Sequence, residues 1–384
     1  MNGEDVKRWK KPTIREVATL AGVSTTTVSV YLAGKKSVCS ESTGAKIDRA
    51  VARLNYSPNP LAGGAYLRDR RTVGLLAADD LERGKKPRMV YNMRLVEGIM
   101  ELANESDYSI LMYPFGVYLR REYRTLLDGR VDAVLFYGAA NHDLVHRLTK
   151  ASMPVVCFGC PESKGEVTGS AYLNEAGVSR LALEHLYQLG HRRIAHLSGP
   201  FEDCHRLEFD PQHGWFKQFE RAELVSMARR EAAAAFLRQK EIYNAAWISG
   251  PHAWKHAEVV PTLESWWNRP VRPTAIYCAN DYIAWEAIKW ARANGIGIPQ
   301  ELAIVGVDNV DGPDRELFLT SVDIEVEAIG RAAMTCILDI LGGHGDEPLH
   351  RQIEPRALAV RESTVGKIAS ANRPMRLTES TELV

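Results

Sequence analysis

The chain has 384 residues, 45% apolar and 25% charged, with 48 basic and 48 acidic side chains and a formal net charge of zero. That is an ordinary soluble globular composition, long enough for two or three domains. No run approaches 18 apolar residues, the six cysteines are scattered, and the N-terminus MNGEDVKRWKKPTIREV lacks the apolar core of a signal peptide, so a cytoplasmic protein with no membrane span and no disulfide framework is expected.

Charge is unevenly spread. Residues 1–72 hold 13 Lys/Arg against 6 Asp/Glu, and the remainder holds 35 against 42. A basic head on an acidic body points to a polyanion as the partner of the head.

In the head, TIREVATLAGVSTTTVSVYLAG spans Thr13 to Gly34. Thr13 and Glu16 have capping-box spacing, which starts a helix with Ile14, Val17, Ala18 and Leu20 as its apolar stripe. Gly22 supplies a tight turn, and Ser24 is the expected N-cap of a second short helix with Val28 and Leu32 inward. A third helix is expected from about Ser40 to Leu54, with Ile47, Val51 and Leu54 buried. Two short helices around a glycine in a basic segment read as a DNA-binding helix-turn-helix, with Thr25, Thr26, Ser29 and Val30 outward. Such side chains can meet thymine methyls, base edges and phosphates. The competing reading is a small bundle that binds nothing; the Lys/Arg excess weighs against it.

NPLAGGAYLRDRR, Asn59 to Arg71, then leads into the body. From Thr72 onward apolar strands alternate with helical patterns: TVGLLAAD, VEGIMELANES, SILMYPF, REYRTLLDGRVDAVLFYG and MPVVCFGC, then EAGVSRLALEHLYQLGHRRIAHLSGP, NAAWISG, PTAIYCAND, EAIKWARANGI and LAIVGVDN. In the sixth of these, Leu181, Leu183, Leu186 and Leu189 lie along a helix, Gly190 ends it and Ile194–Leu197 form a strand. The alternation implies an α/β body with parallel sheets covered by helices, and its length implies two lobes.

Ligands in such folds bind beyond the carboxyl ends of the strands. That rule selects Asp79 and Asp80, for which helix capping is the alternative, Asn280 and Asp281, and Asp308. Seven of the eight tryptophans fall between Trp215 and Trp290. Trp247, Trp254 and Trp285 are candidates for stacking on a sugar face, weighed against the commoner role of aromatics in cores and interfaces. Trp285 lies one helical turn past Asp281, so both could share a face.

Other signals are weak. Cys157 and Cys160 form one CxxC with no second pair, which is little support for zinc. His142/His146 and His252/His256 have i,i+4 spacing without an accompanying HExxH. GIGIPQ lacks the third glycine of a dinucleotide loop, and no Walker loop, nucleophile elbow or acid/base constellation can be assembled. No catalysis, cofactor or metal is expected.

The stretch TIREVATLAGVSTTTVSVYLAGKKSV, followed by LNYSPNPLA, resembles the head of the LacI/GalR family of bacterial transcription regulators. The resemblance continues through NEAGVSRLALEHLYQLGHRRIAHLSGP, RPTAIYCANDYIAWEAI, LTSVDIEVEAIGRAAMTCIL and PRALAVREST, and it is weakest between Phe201 and Met227, where about 20 residues are inserted by the standard of ordinary loop lengths.

The resemblance implies that the second helix enters the major groove with Ser24, Thr25, Thr26, Thr27, Ser29 and Val30, flanked by Thr13 and Tyr31. Val30 and Ala33 stand where the family usually has Arg and Asn. It also implies a hinge that folds on the operator, pairs with its dimer mate and wedges a Leu into the minor groove. Asn59, Leu61 and Ala62 fit that pattern. Gly63 and Gly64 replace better helix formers, at about 1 kcal/mol each relative to Ala, and Ala65 falls where the wedging Leu is expected. Either the hinge kinks DNA little, or its helix shifts register so that Leu67 or Tyr66 becomes the wedge.

For the body the resemblance implies two lobes joined by three crossovers, related to periplasmic sugar-binding proteins, with the effector between them. Asp281 matches a position that bonds effector hydroxyls. Arg230, with Arg229 as its rival, matches an effector-binding Arg, and Asn92 and Arg94 are expected near the cleft mouth. An Asp and an Arg in one cleft suit a hydroxylated small molecule, neutral or acidic.

The expected division is a head at 1–58, a hinge at 59–71, an N-terminal lobe at 72–170 plus about 300–322, a C-terminal lobe at 171–299 plus about 323–365, and a disordered polar tail at 366–384. The tail GKIASANRPMRLTESTELV has no leucine heptad, so a homodimer is expected. The reading is a repressor that binds double-stranded operator DNA and is controlled by a sugar or sugar derivative. Its rivals are a cytoplasmic sugar-binding protein without operator control, and an enzyme on the same fold.

Overall fold

The computed structural model describes residues 12–32, 34–54, 56, 70–76, 86–113, 123–137, 142–159, 167–199, 205–210, 215–220, 224–250, 259–310, 319–344 and 347–366. The chain divides into two compact units, a head and a body.

The head is three helices, α1 (Ile14–Ala21), α2 (Thr25–Leu32) and α3 (Glu41–Leu54). Thr13 starts α1 with a reciprocal capping box: its backbone N–H donates to the Glu16 carboxylate at 2.6 Å, and the Glu16 N–H donates to its hydroxyl. Gly22 ends the helix at φ 68°, a conformation that costs a glycine least. The Ser24 hydroxyl accepts the Thr27 N–H at 3.0 Å and opens α2. Val17, Ala18, Ala21, Val28, Tyr31, Ile47 and Ala50 close the core.

The apolar stripe of α1 differs from the one expected. Leu20 is 43% exposed and does not join the apolar stripe, because the α1 face that meets α3 runs through Val17, Ala18 and Ala21. Tyr31, grouped above with the DNA-contacting residues, is 8% exposed. Its hydroxyl donates to Asp48 at 2.9 Å, and its ring lies over Gly44, where a Cβ would come within 2.8 Å of the phenol.

The body holds two six-stranded sheets. The first is all parallel in the order β13-β5-β4-β3-β1-β2: β1 (Thr72–Leu76), β2 (Ser109–Tyr113), β3 (Ala133–Tyr137), β4 (Val155–Phe158), β5 (Gly169–Leu173) and β13 (Leu349–Ile353). Within it fall α4 (Lys86–Glu105), the short α5 (Tyr123–Leu126) and α6 (His142–Lys150). The second has the order β14-β12-β11-β10-β6-β9: β6 (Ile194–Leu197), β9 (Ile248–Ser249), β10 (Ala275–Cys278), β11 (Ala303–Val307), β12 (Thr320–Asp323) and β14 (Ala357–Ala359), with only β14 antiparallel. Its helices are α7 (Glu175–Gln188), α8 (Leu224–Gln239), α9 (Val259–Trp267), α10 (Asp281–Ala293) and α12 (Glu362–Val365). In the region where the resemblance was weakest, β7 (His205–Asp210) and β8 (Trp215–Glu220) form a separate antiparallel hairpin.

Sheet membership corrects the expected division of the lobes. Residues 300–322 were expected with the first lobe, yet β11 and β12 extend the second sheet, because β10–α10–β11 is a strand–helix–strand unit whose strands pair in parallel. Conversely α11 (Val326–Leu341) and β13, expected in the second lobe, belong to the first. Ile329, Ala333, Cys336 and Ile337 on α11 are buried in the same cluster as the first-sheet residues Val73, Leu75 and Leu135.

The chain crosses between lobes three times, after Leu173, Asp323 and Ile353. These connections are tied side by side: the Asn174 N–H donates to the Ile353 carbonyl, the Arg356 N–H to the Asp323 carbonyl, each at 2.8 Å, and the Asn174 amide to Glu354. One buried apolar cluster runs continuously from the first sheet, α4 and α11 to the second sheet, α7 and α8. Among the described residues no helix is long and apolar enough to cross a membrane.

Candidate effector site and DNA-contacting face

On the head, Thr13, Ser24, Thr25 and Thr26 are exposed, and Thr27, Ser29 and Val30 are half-buried. Ser24 and Thr27 also bond each other at 2.8 Å, which orients both hydroxyls. Helix α2 carries no charged side chain. The positive charge instead lies outside it, on exposed Lys35 and Lys36 just past its end and on exposed Lys46, Arg49 and Arg53 of α3. Short polar groups on a helix with cations beside it are the chemistry of base contact flanked by phosphate contact. The hinge residues Asn59, Leu61, Ala62 and Ala65 lie outside the described residues, as does Ala33.

In the body, side chains from both lobes converge where the two sheets end. Arg229 on α8 is buried, and its Nε donates to the Glu175 carboxylate at 2.5 Å. A second guanidinium nitrogen donates to the Ala279 carbonyl, just past β10. Burial opposes the Arg229 charge, but Glu175 more than compensates and the group is held firmly protonated. Tyr91 on α4 comes close enough to Tyr137, Asp308, Arg229 and Glu175 to be influenced by all four; burial first, then Tyr137 and Asp308, push its phenol well above the usual range. Tyr137, ending β3, tilts against Phe158, ending β4, at 5.5 Å between ring centroids.

Asp281 opens α10, capped by the Asn280 side chain. It is buried, and both oxygens are occupied: Ser321 donates to Oδ1 at 2.6 Å, and the Val310 N–H to Oδ2 at 2.9 Å. Burial and then the neighbouring Asp308 raise its carboxyl well above the usual range, against the donors that stabilise its charge. Asp308 and Asn309 are consecutive non-glycine residues at positive φ, 104° and 51°. Arg94 grips Glu327 with two nitrogens, at 2.5 and 2.9 Å, and reaches the Asp308 and Asn309 carbonyls at 3.4 Å.

Of the residues expected near an effector, the structure thus brings Arg94, Asp281 and Asp308 together. Asn92 is buried, and among the described residues its amide nitrogen has no hydrogen-bond partner. Arg229 is the buried arginine of the pair; Arg230 is half-buried and close enough to act electrostatically on His196. Trp247 and Trp285 are packed with Trp266, Leu263 and Ile288 in the α9–α10 core of the second lobe, so their burial follows from packing. Asp79, Asp80, Trp254, His252, His256 and Cys160 lie outside the described residues, and Cys157 is buried. Sequence reasoning passed over Tyr91, Tyr137, Phe158 and Glu175. Tyr137 and Phe158 carry the same signal that selected Asp308, a position at the carboxyl end of a parallel strand. Among the described residues no cluster of three or more His, Cys, Asp or Glu side chains is arranged to hold a metal.

The head, residues 13–59, matches the family model of bacterial regulatory proteins of the lacI family, and residues 183–364 match that of periplasmic binding protein-like domains. The chain belongs to the lacI family. Its lacI-type head is that of a DNA-binding regulator and its body that of a ligand-binding domain. Among curated proteins it is similar to the HTH-type transcriptional repressor PurR of Vibrio parahaemolyticus, 29% identical over 370 residues that cover 93% of this chain and 99% of that one. The PurR of Klebsiella pneumoniae is 24% identical, covering 94% and 99%. Among solved structures, the transcriptional regulator CelR in its cellobiose complex is 26% identical with a TM-score of 0.63, covering 92% of this chain and 99% of that one. The lac repressor dimer bound to operator and the anti-inducer ONPF shares the fold, with a TM-score of 0.73 at 21% identity over the same shares of the two chains.

Proposed function

We propose that this lacI-family member is a repressor that binds a two-fold operator as a homodimer and is controlled by a neutral ring-shaped effector held between the lobes. The observation that carries the effector class is the internal compensation of the cleft charges. Arg229 is paired with Glu175, and Asp281 is saturated by Ser321 and Val310, so the first offers no uncompensated charge to an acidic ligand and the second none to a basic one. What is offered is aromatic surface on half-buried Tyr91 and Tyr137, and the Asn92 amide, unpartnered among the described residues, as a donor. Such a set holds the apolar face of a sugar and one of its hydroxyls. A sugar also agrees with the cellobiose-bound relative. A flat heterocycle would use the same aromatic walls and is the second class to test.

The homodimer reading is supported on the first lobe. Val90, Met93 and Met100 form an exposed arc on α4, with Met93 59% exposed. Exposed Met112 of the edge strand β2 pairs with Leu75, whose side chain joins the α4-side core, so it lies on the same side of the sheet. An apolar patch at a sheet edge is expected to be covered, and a second copy covers it symmetrically. The test is a thermal-shift screen of the full-length chain against neutral mono- and disaccharides including cellobiose, purine bases, and sugar phosphates. The reading expects stabilisation by a neutral ring compound and none by its phosphorylated counterpart. A phosphorylated or carboxylated ligand as the tightest binder would overturn it.

A further inference from the structure

Helices α4 and α11 approach backbone to backbone. A Cβ on Gly98 would overlap the Glu327 carbonyl, and one on Gly330 would overlap the Leu95 carbonyl. This contact brings two ion pairs into register across the helices, Arg94 with Glu327 and Glu101 with Arg331. The second pair stays within the first lobe and its side chains are nearly half exposed. The first is more enclosed, and Arg94 continues past it to the second lobe, where it meets the carbonyls of Asp308 and Asn309.

Those carbonyls belong to a strained turn. Two successive non-glycine residues at positive φ persist only where surrounding contacts over-determine them. On its own lobe the turn is held by the Asp308 N–H to Val322, the Asn309 N–H to Ser321, and Arg361 donating to the Asn309 side chain at 2.7 Å. The next residue, Val310, donates its N–H to Asp281, and Ser321 donates to the same carboxylate. The Arg94 contacts, at 3.4 Å, stand near the outer limit of hydrogen bonding, so a small change in lobe spacing makes or breaks them.

We infer that Arg94 is a positioning residue that ties lobe spacing to the Asp281 carboxylate. With the lobes as in this structure, the guanidinium, pre-oriented by Glu327, steadies the 308–309 turn and keeps the Val310 N–H on Asp281. When the lobes separate, that support is lost, the turn relaxes, and Asp281 loses one of its two donors. The clamp is a property of the body alone and holds whatever molecule the lobes bind.

Hydrogen exchange with mass spectrometry on the full-length chain tests it without a ligand. Arg94→Gln is expected to speed exchange of the Asn309 and Val310 amides about tenfold while β10 amides keep their rate, as for a local opening. Arg94→Lys restores the charge without the fork and falls between. Arg331→Gln, which breaks the ion pair one turn away without touching the second lobe, leaves the turn at its wild-type rate. If Arg94→Gln does not fold, Glu327→Gln decides: it leaves Arg94 unoriented and is expected to speed the turn amides about threefold. Wild-type exchange at the turn in the folded Arg94→Gln protein or in Glu327→Gln, or equal acceleration in Arg331→Gln, would overturn the inference.

Discussion

Arg229 and Glu175 face each other across the α7–α8 contact as a buried ion pair, Nε to Oε2 at 2.5 Å, with each side chain 6% exposed. The two residues are 54 positions apart in sequence, and neither charge has water to fall back on. Removing one partner strands the other. Glu175→Gln should therefore lower unfolding free energy by about 3 kcal/mol, read from urea denaturation, while Arg229→Met with Glu175→Leu together should lose far less than the sum of the singles.

His196 should make the body acid-sensitive. Its Nδ1 is hydrogen-bonded to the Tyr277 carbonyl at 3.0 Å, its ring stacks on Tyr277, and burial pushes its pKa from 6.5 down to about 3. Above pH 6.5 both folded and unfolded states hold it neutral. As pH falls below 6.5 the unfolded state takes up a proton that the folded state refuses. Stability then drops by up to about 1.4 kcal/mol per pH unit until pH nears 3. His196→Phe keeps the stacking and should flatten the slope between pH 6 and 4.5 by about one proton. An unchanged slope would show that the imidazole is not held neutral.

Much of this architecture could be read from the residues themselves. The Thr13–Glu16 box, the Gly22 turn and the Ser24 cap are local features with local causes, and they form as the spacing predicts. Strand–helix alternation likewise gives parallel sheets. Lobe membership could not be read in this way, because periodicity does not say which sheet a strand joins; β11 pairs with β10, and β12 with β11. Which of Arg229 and Arg230 is buried turns on a rotation of about 100° about one helix, and follows from the distant Glu175 and Ala279 that Arg229 bonds. Trp285 has the right spacing from Asp281, yet its side chain is taken up by the α9–α10 core.

The close approach of α4 and α11 should tolerate no side chain at its crossing. Gly98→Ala places a methyl where the Glu327 carbonyl lies, and Gly330→Ala does the same against Leu95. Each should cost about 1–3 kcal/mol by overpacking, and Gly98→Ala should also loosen the Arg94–Glu327 pair that the contact aligns. Thermal denaturation of the two variants checks the first point. A melting temperature within a degree of wild type in both would mean that the helices part easily.

On the head, Thr26→Ala and Tyr31→Phe should separate contact from folding. Thr26 is exposed on α2, so its loss should weaken binding to a specific site by about 1–3 kcal/mol without changing head stability. Tyr31→Phe removes only the bond to Asp48 and should cost about 1 kcal/mol of head stability, with little effect on which sequence is preferred. Binding-site selection with each variant, alongside circular dichroism melts, distinguishes the two. If the 59–71 segment acts as the hinge that its sequence resemblance implies, Leu67→Ala should weaken operator binding more than Leu61→Ala in a shifted register, and equal small losses would indicate an unkinked operator.

The function proposed for this chain rests on coupling between operator binding and a ligand in its body. Its direct test is fluorescence anisotropy of the full-length chain on DNA selected from a random library, measured across salt and with each stabilising ring compound from the thermal screen. Site-specific binding is expected, with log affinity falling linearly with log salt and changed several-fold by the ligand, and with the reciprocal change in ligand affinity when DNA is present. Absence of salt-sensitive DNA binding, or operator affinity indifferent to a ligand that the body demonstrably binds, would contradict it.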